Sequence, residues 1–262
     1  MKHVFGKKFL EEKLMQCTFQ ISPGAFFQVT TEGAEVLYNV IVDKVKEATN
    51  DPSNTMLFDV CCGTGTIGLT CMKEGVIRKV VGIDISKPAI DDAILNAERN
   101  GYSGNDGSTK FISSRAESVI SNEIYASKDT HKLVVVDPAR DGLHQNVLRS
   151  LRLEKGIQRI VYVSCNPTGS LVKDAVILCA PPTKKYKGLP FKPSSAQPVD
   201  MFPLTPHCEL VMVFDRMSEE ECLSVKDSFD KSPVIEQTKD EENMHQNQKE
   251  VEKIDDTDKK VE

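Results

Sequence analysis

The sequence predicts an α/β fold, a mostly parallel sheet with helices on both faces. Three observations predict it. From Met56 onward, short runs of β-formers alternate with helical segments, the pattern of parallel strands joined by crossover helices. The first of these strands runs into a glycine-rich turn, Cys61-Cys62-Gly63-Thr64-Gly65. A later run, Val161-Tyr162-Val163-Ser164-Cys165-Asn166-Pro167, ends abruptly in a thiol and a turn pair, as a buried strand reaching a sheet edge does.

The elements follow in order. Residues 1–30 form an extended lead-in: Thr18-Phe19-Gln20-Ile21 alternates like a strand, Ser22-Pro23-Gly24 turns, and 25–30 is extended again. Thr30 or Thr31 caps a helix running to about Ala48, with Val36, Leu37, Val40, Ile41 and Val45 on one face. A strand over 56–61 precedes a helix over 66–73. A strand over 79–83 precedes a helix over 88–100 stopped by Gly101. A weak strand over 110–113 and a strong one over 132–136 come next, then a helix over 145–153, a strand over 159–163 and a helix over 169–179. The basic, proline-rich stretch 184–198 is expected to be a loop. A last strand covers 210–214. The catalytic domain is therefore assigned to 31–217, and the acidic, aromatic-poor segment 218–262 is expected to be disordered.

Length and composition narrow the function. The 262 residues suffice for one large or two small domains with a sizeable core. No stretch approaches a membrane span, and the N-terminus lacks the apolar segment of a signal peptide. The eight cysteines include no Cys-x-x-Cys pair, which argues against a zinc or iron–sulfur site, so no metal is expected. Without an export signal, reduced thiols and an intracellular setting, cytoplasmic or nuclear, are expected. The net charge of -6 is unevenly spread: 218–262 carries 7 Lys/Arg against 15 Asp/Glu, net -8, which leaves +2 on 1–217. The globular part is near neutral, compatible with a nucleic-acid partner without being a basic signature.

The glycine turn marks a cofactor site. Gly63, Gly65 and Gly68 satisfy G-x-G-x-x-G, and Asp84, at the end of the next strand, can accept both hydroxyls of an adenosine ribose. Asp59, ahead of the glycines, would repel a pyrophosphate but suits a cationic cofactor. Asp137-Pro138-Ala139-Arg140 resembles the acidic turn after the fourth strand of methyltransferases. Together these favour S-adenosyl-L-methionine over NAD.

The reaction site follows from chemistry. C5 of uracil is barely nucleophilic; addition of a thiolate at C6 turns the ring into an enolate that can attack a sulfonium methyl, and a base must then take the C5 proton. Cys165, at a strand end, and Glu209, at the entrance to the last apolar run, fit those roles. The other cysteines suit buried hydrophobes better, Cys61 and Cys62 less clearly because they flank the glycine loop. His207 is as well explained by a structural hydrogen bond as by catalysis.

With these motifs the chain resembles the catalytic domain of the RNA uracil-5-methyltransferase family, from about Ile21 to Phe214. The resemblance rests on 21–29 (Ile-Ser-Pro-Gly-Ala-Phe-Phe-Gln-Val), 59–65, Gly82-Ile83-Asp84, Val136-Asp137-Pro138, Ser164-Cys165-Asn166-Pro167 and 200–209. It implies a Rossmann-like class I S-adenosylmethionine-dependent methyltransferase fold and an enzyme forming 5-methyluridine in RNA, tRNA above all. It implies further that Gln28, Cys61, Thr66, Asp84 and Asp137 contact the cofactor, with Cys165 as nucleophile and Glu209 as proton acceptor. Gln28 rests on the resemblance alone. Two motifs depart from the family pattern: Asp-Pro-Pro-Arg is Asp137-Pro138-Ala139-Arg140, and Phe-Pro-His-Thr is Phe202-Pro203-Leu204-Thr205. Family members carry an N-terminal RNA-binding module; nothing before Ile21 matches one, so a fragment or truncated form is expected, acting as a monomer.

Three other readings stand beside this one. An RNA 5-methylcytosine enzyme is disfavoured because Ala139, not a cysteine, follows Pro138. An NAD-dependent oxidoreductase leaves Cys165 and Glu209 without a shared purpose. A non-catalytic RNA-binding protein would have no need of them. Phe26, Phe27, Tyr162, Tyr186 and Phe202 are candidates to stack a flipped base, with core packing as good a reading for Phe26, Phe27 and Tyr162. Lys184-Lys185-Tyr186-Lys187 suits phosphate contact or plain solvation equally.

Overall fold

A computed structural model describes residues 5–129 and 131–230. The chain divides into two units, 1–222 and 223–262; the sheets and the candidate site belong to the first. It opens with an antiparallel hairpin, β1 (Leu10–Leu14) and β2 (Cys17–Ile21), followed by α1 (Thr31–Ala48). Then come β3 (Thr55–Val60), α2 (Thr66–Lys73), β4 (Lys79–Asp84), α3 (Lys87–Arg99), β5 (Thr109–Ser113), α4 (Ala116–Ala126), β6 (His131–Val136), α5 (Gln145–Leu153), β7 (Ile157–Ser164), α6 (Ser170–Cys179), β8 (Phe191–Val199), β9 (Glu209–Arg216) and α7 (Glu219–Asp230).

The seven-stranded sheet has the order β5-β4-β3-β6-β7-β9-β8. The first five strands are mutually parallel; β9 runs antiparallel to β7, and β8 antiparallel to β9. Side chains alternate across each strand. Leu57, Val80, Leu133, Val135, Val161 and Val211 face one core with α1, α2 and the hairpin. Phe58, Val81, Val134, Val136, Ile160 and Phe214 face the other with α4, α5 and α6. The expected sheet covered on both faces is present, and its core elements begin and end within two residues of the sequence expectation.

Three expectations need correction, and one helix lies where none was expected. On α1 the buried stripe is Ala34, Leu37, Tyr38, Ile41, Val42 and Val45, whereas Val36 is exposed and Val40 only partly buried. The stripe is rotated because Tyr38 and Val42 turn inward. The helix α4 was not foreseen: its polar sequence buries only Ile120 and Ile124, too thin a pattern to read. The stretch expected to be a loop holds β8, with Pro193 and Pro198 inside it. Proline cannot donate to a ladder, but β8 is an edge strand paired only with β9, where an N–H can face outward unused. Part of the segment expected to be disordered forms α7; residues 231–262 lie outside the described ones.

Two arginines close helix ends. Arg152, wholly buried, donates to the carbonyls of Ile177, Ala180 and Gly188. Arg216 donates to those of Leu151, Arg152 and Glu154, satisfying the last turn of α5, and stacks 4.2 Å from the Phe191 ring centroid.

Candidate active site

The strand order reverses between β3 and β6, and the crevice beyond the carboxyl ends of strands at such a point is the usual ligand position in these sheets. The glycine loop leaves β3 there. The backbone amides of Cys61 and Cys62 both reach the Ile83 carbonyl, at 2.8 and 3.1 Å. Cys61, Gly63 and Gly65 adopt left-handed φ of 64°, 53° and 79°, turning the chain sharply before α2 starts at Thr66. Of these three, Cys61 alone bears a side chain in that conformation, a local strain of the kind that gathers at functional sites.

Two carboxylates brace the loop. Asp84 accepts the Gly63 amide at 2.9 Å through Oδ2 and the Ser86 amide at 2.8 Å through Oδ1. Asp59, wholly buried, accepts the Gly68 amide at 2.9 Å through Oδ2. A Cβ on Gly68 would stand 2.7 Å from Val80 Cγ2 and 3.1 Å from Asp59 Oδ2, so glycine is required for that close approach. The Thr66 hydroxyl is shared with Thr64 at 3.1 Å and hydrogen-bonds Tyr38 from α1.

At the reaction end, Cys165 directly follows β7 and is partly exposed. Ser164 pairs with Leu210, and Val199 with Glu209, so the start of β9 meets the end of β7 at the same sheet edge. Two loops are tied together there: Asn166 Nδ2 donates to the Arg140 carbonyl at 3.1 Å, and Asp174 Oδ2 accepts from the Leu143 amide and the Tyr162 hydroxyl, both at 2.7 Å.

Charges at one end influence groups at the other. Burial raises the Asp59 pKa to about 7, with Asp84 adding to it against the Gly68 hydrogen bond. Burial, then Glu209 and Asp59, raises Asp137 to about 8. Burial alone raises Glu209, which is 5% exposed. Burial raises the Cys165 thiol; Glu209 and Asp137 add to it and Arg140 opposes. Cys61 is pushed to about 12 by burial and by Asp84, Asp137 and Asp59. Among the described residues no cation offsets Asp59, Asp137 or Glu209. Asp59 Oδ1 and Glu209 Oε2 are buried with no hydrogen-bond partner. Buried carboxylates with free oxygens and no counter-charge suit a cationic ligand. Among the described residues no cluster of ligands for a metal exists, and no helix is long and apolar enough to cross a membrane.

Of the residues expected from sequence, Cys61, Gly63 and Gly65 lie on the loop after β3, Thr66 starts α2, Asp84 ends β4, Asp137 follows β6, Cys165 follows β7 and Glu209 opens β9. Gln28 lies on the irregular link between β2 and α1, partly exposed, after Phe27, whose ring centroid is 6.2 Å from that of Phe19. His207 is exposed, and only its backbone amide is engaged, by Thr205 Oγ1 at 3.2 Å. Sequence reasoning missed Tyr38, whose hydroxyl is raised by burial, Asp137, Asp59 and Glu209. It also missed Asp92 and Asn96 of α3. Asn96 grips the Gln20 amide at 2.6 Å and donates to the Gln20 and Thr64 carbonyls, both at 3.1 Å. Asp92 accepts the Ser22 amide at 2.6 Å. Polar residues four apart on an otherwise apolar helix face were the available signal.

A family model described as tRNA (Uracil-5-)-methyltransferase matches residues 1–216. The chain is 40% identical over 217 residues to human tRNA (uracil-5-)-methyltransferase homolog A, covering 83% of this chain and 33% of that protein. It is 40% identical over 216 residues to human tRNA (uracil-5-)-methyltransferase homolog B, covering 81% and 41%. The chain thus spans well under half the length of these relatives. Its fold is similar to the Pyrococcus abyssi tRNA (uracil-54, C5)-methyltransferase in complex with S-adenosyl-L-homocysteine, with TM-score 0.60 and 30% identity over 80% of this chain and 44% of that one. A SAM-dependent methyltransferase from Agrobacterium tumefaciens, at TM-score 0.53 and 17% identity over 82% and 72%, shares the fold.

Proposed function

The chain belongs to the tRNA (uracil-5-)-methyltransferase family, and we propose that it methylates C5 of a uridine in RNA, tRNA being the first candidate, with Cys165 as nucleophile and Glu209 as base. The observation that carries this reading is the meeting of β7 and β9: a partly exposed thiol and a buried carboxylate with a free oxygen share one sheet edge beside an uncompensated anionic crevice.

S-adenosylmethionine fits that crevice, since its sulfonium and ammonium charges would meet Asp59 and Asp137 while Asp84 takes the ribose hydroxyls. When bound, it supplies an electrophilic methyl to the activated C5. The residues of the chain do the rest. Cys165, partly exposed, gives its proton to solvent, a loss opposed by burial and by Glu209 and assisted by Arg140. The thiolate forms a bond to C6 of the uracil, and the C5–C6 π electrons move onto the ring as an enolate. After C5 is methylated, Glu209 Oε2 takes the C5 proton. The electrons of the broken C5–H bond restore the double bond and expel the thiolate. A carboxylate raised by burial is a stronger base than an exposed one, which suits this step.

The test uses S-adenosylmethionine and a tRNA transcript carrying 5-fluorouridine, which has no C5 proton to lose. The native chain is expected to give a denaturation-resistant protein–RNA adduct, and Cys165→Ala none. With ordinary uridine RNA, Glu209→Gln is expected to accumulate the methylated adduct that the native chain releases. A native chain that neither binds S-adenosylmethionine nor forms an adduct would sink the reading.

A further inference from the structure

We propose that Leu204 is a rigid apolar wedge that enters the RNA base stack beside the uridine delivered to Cys165. This rests on the uridine-methylating reading above.

The loop 200–208 joins β8 to β9, so it stands at the sheet edge that also holds Cys165 and Glu209. Its base is anchored. Met201 is 2% exposed, and its sulfur lies 3.1 Å from where a Cβ on Gly33 of α1 would stand. Phe202 packs partly buried on the core. The tip is locked upon itself: the Phe202 carbonyl accepts the Thr205 amide at 3.1 Å and the Thr205 hydroxyl at 2.7 Å, and Thr205 Oγ1 accepts the His207 amide at 3.2 Å.

At that tip Leu204 has φ 66° and is fully exposed, at 106%. A bulky side chain disfavours the left-handed region, and an isolated leucine gains nothing from full hydration. Local structure therefore holds an apolar side chain outward against both preferences. Strain of this kind, imposed next to a reaction site, points to a functional contact.

The chemistry supplies the contact. Cys165 must reach C6 of a pyrimidine, an atom inaccessible while the base is stacked, so the nucleotide has to leave its stack. Apolar side chains inserted between bases fill the gap and hold the displaced geometry. Leu204 is five residues from the proposed base and is presented by a turn too constrained to fold away.

The test measures the rate of adduct formation in the presence of S-adenosylmethionine with two probes. One is a folded tRNA transcript carrying 5-fluorouridine; the other is a short unstructured oligoribonucleotide carrying the same base, already unstacked. Leu204→Gly removes the wedge while accepting the left-handed φ, so its thermal midpoint should not fall below that of the native chain. Its rate on the folded transcript is expected to drop about tenfold or more, with the single-stranded rate within about twofold of native. Leu204→Met, which keeps apolar bulk, should recover most of the folded-RNA rate. An unchanged rate on folded RNA, or equal losses on both RNAs, would overturn the wedge while leaving the methylation reading intact. A native chain that traps neither RNA would overturn both.

Discussion

Asp59, near the end of β3, is wholly buried and Asp137, just after β6, is partly buried, with pKa values pushed to about 7 and about 8. The ligand-free protein therefore holds protons on this pair near neutrality. A cation bound against them favours their charged forms and lowers both values. Binding of S-adenosylmethionine should thus release protons and tighten as pH rises from about 6 to about 9, then level off. Calorimetry in buffers of different ionisation enthalpy measures the released protons directly. S-adenosylhomocysteine, without the sulfonium charge, should show a smaller effect. A pH-independent affinity with no proton release would count against the crevice as the seat of the cation.

At the scale of elements, α3 is the clamp that places the segment leading into α1. Asp92, Asn96 and Asn100 recur every fourth residue on one face and take hold of the β2 backbone, Asn100 by the Thr18 amide at 3.0 Å and the Thr18 carbonyl at 2.9 Å. Asn96 also holds Thr64, so one side chain ties the hairpin to the glycine loop. Asn96→Ala leaves several buried polar groups unpaired and should cost about 2–4 kcal/mol in urea unfolding. It should also weaken S-adenosylmethionine binding, because the end of β2 and the glycine loop lose their shared tether; unchanged affinity would argue that the two move independently. The helix itself was legible from its periodicity and from Gly101. Its partners were not, since Gln20 lies 76 residues from Asn96 and spacing cannot pair such distant groups.

For the whole molecule, charge is the property that sequence alone resolves. The net of -8 on 218–262 against +2 on 1–217 makes the sequence an acidic segment following a near-neutral one. A polyanionic segment competes with phosphate for basic side chains and repels RNA over about a Debye length. Deleting 231–262, which carries 6 Lys/Arg against 10 Asp/Glu, should therefore tighten tRNA binding at low salt, with the difference vanishing as salt rises. Filter binding across a salt series decides it; equal affinity at every salt concentration would mean that the segment does not act on RNA.

The sequence by itself determined the alternating strand–helix order, the glycine turn, and the identities of the thiol and carboxylate at strand termini. Those features are local: periodicity, left-handed glycines and residue chemistry act over a few positions. The tertiary structure decided what depends on strand order and burial. It brought Asp59, Asp137 and Glu209 together without a counter-cation among the described residues, turned Tyr38 toward them, made an edge strand of a proline-rich stretch, and set Leu204 in a strained exposed turn. Each of these follows from contacts between segments far apart in the chain. Desolvation and backbone strain exist only once the sheet is assembled, so no reading of local pattern contains them.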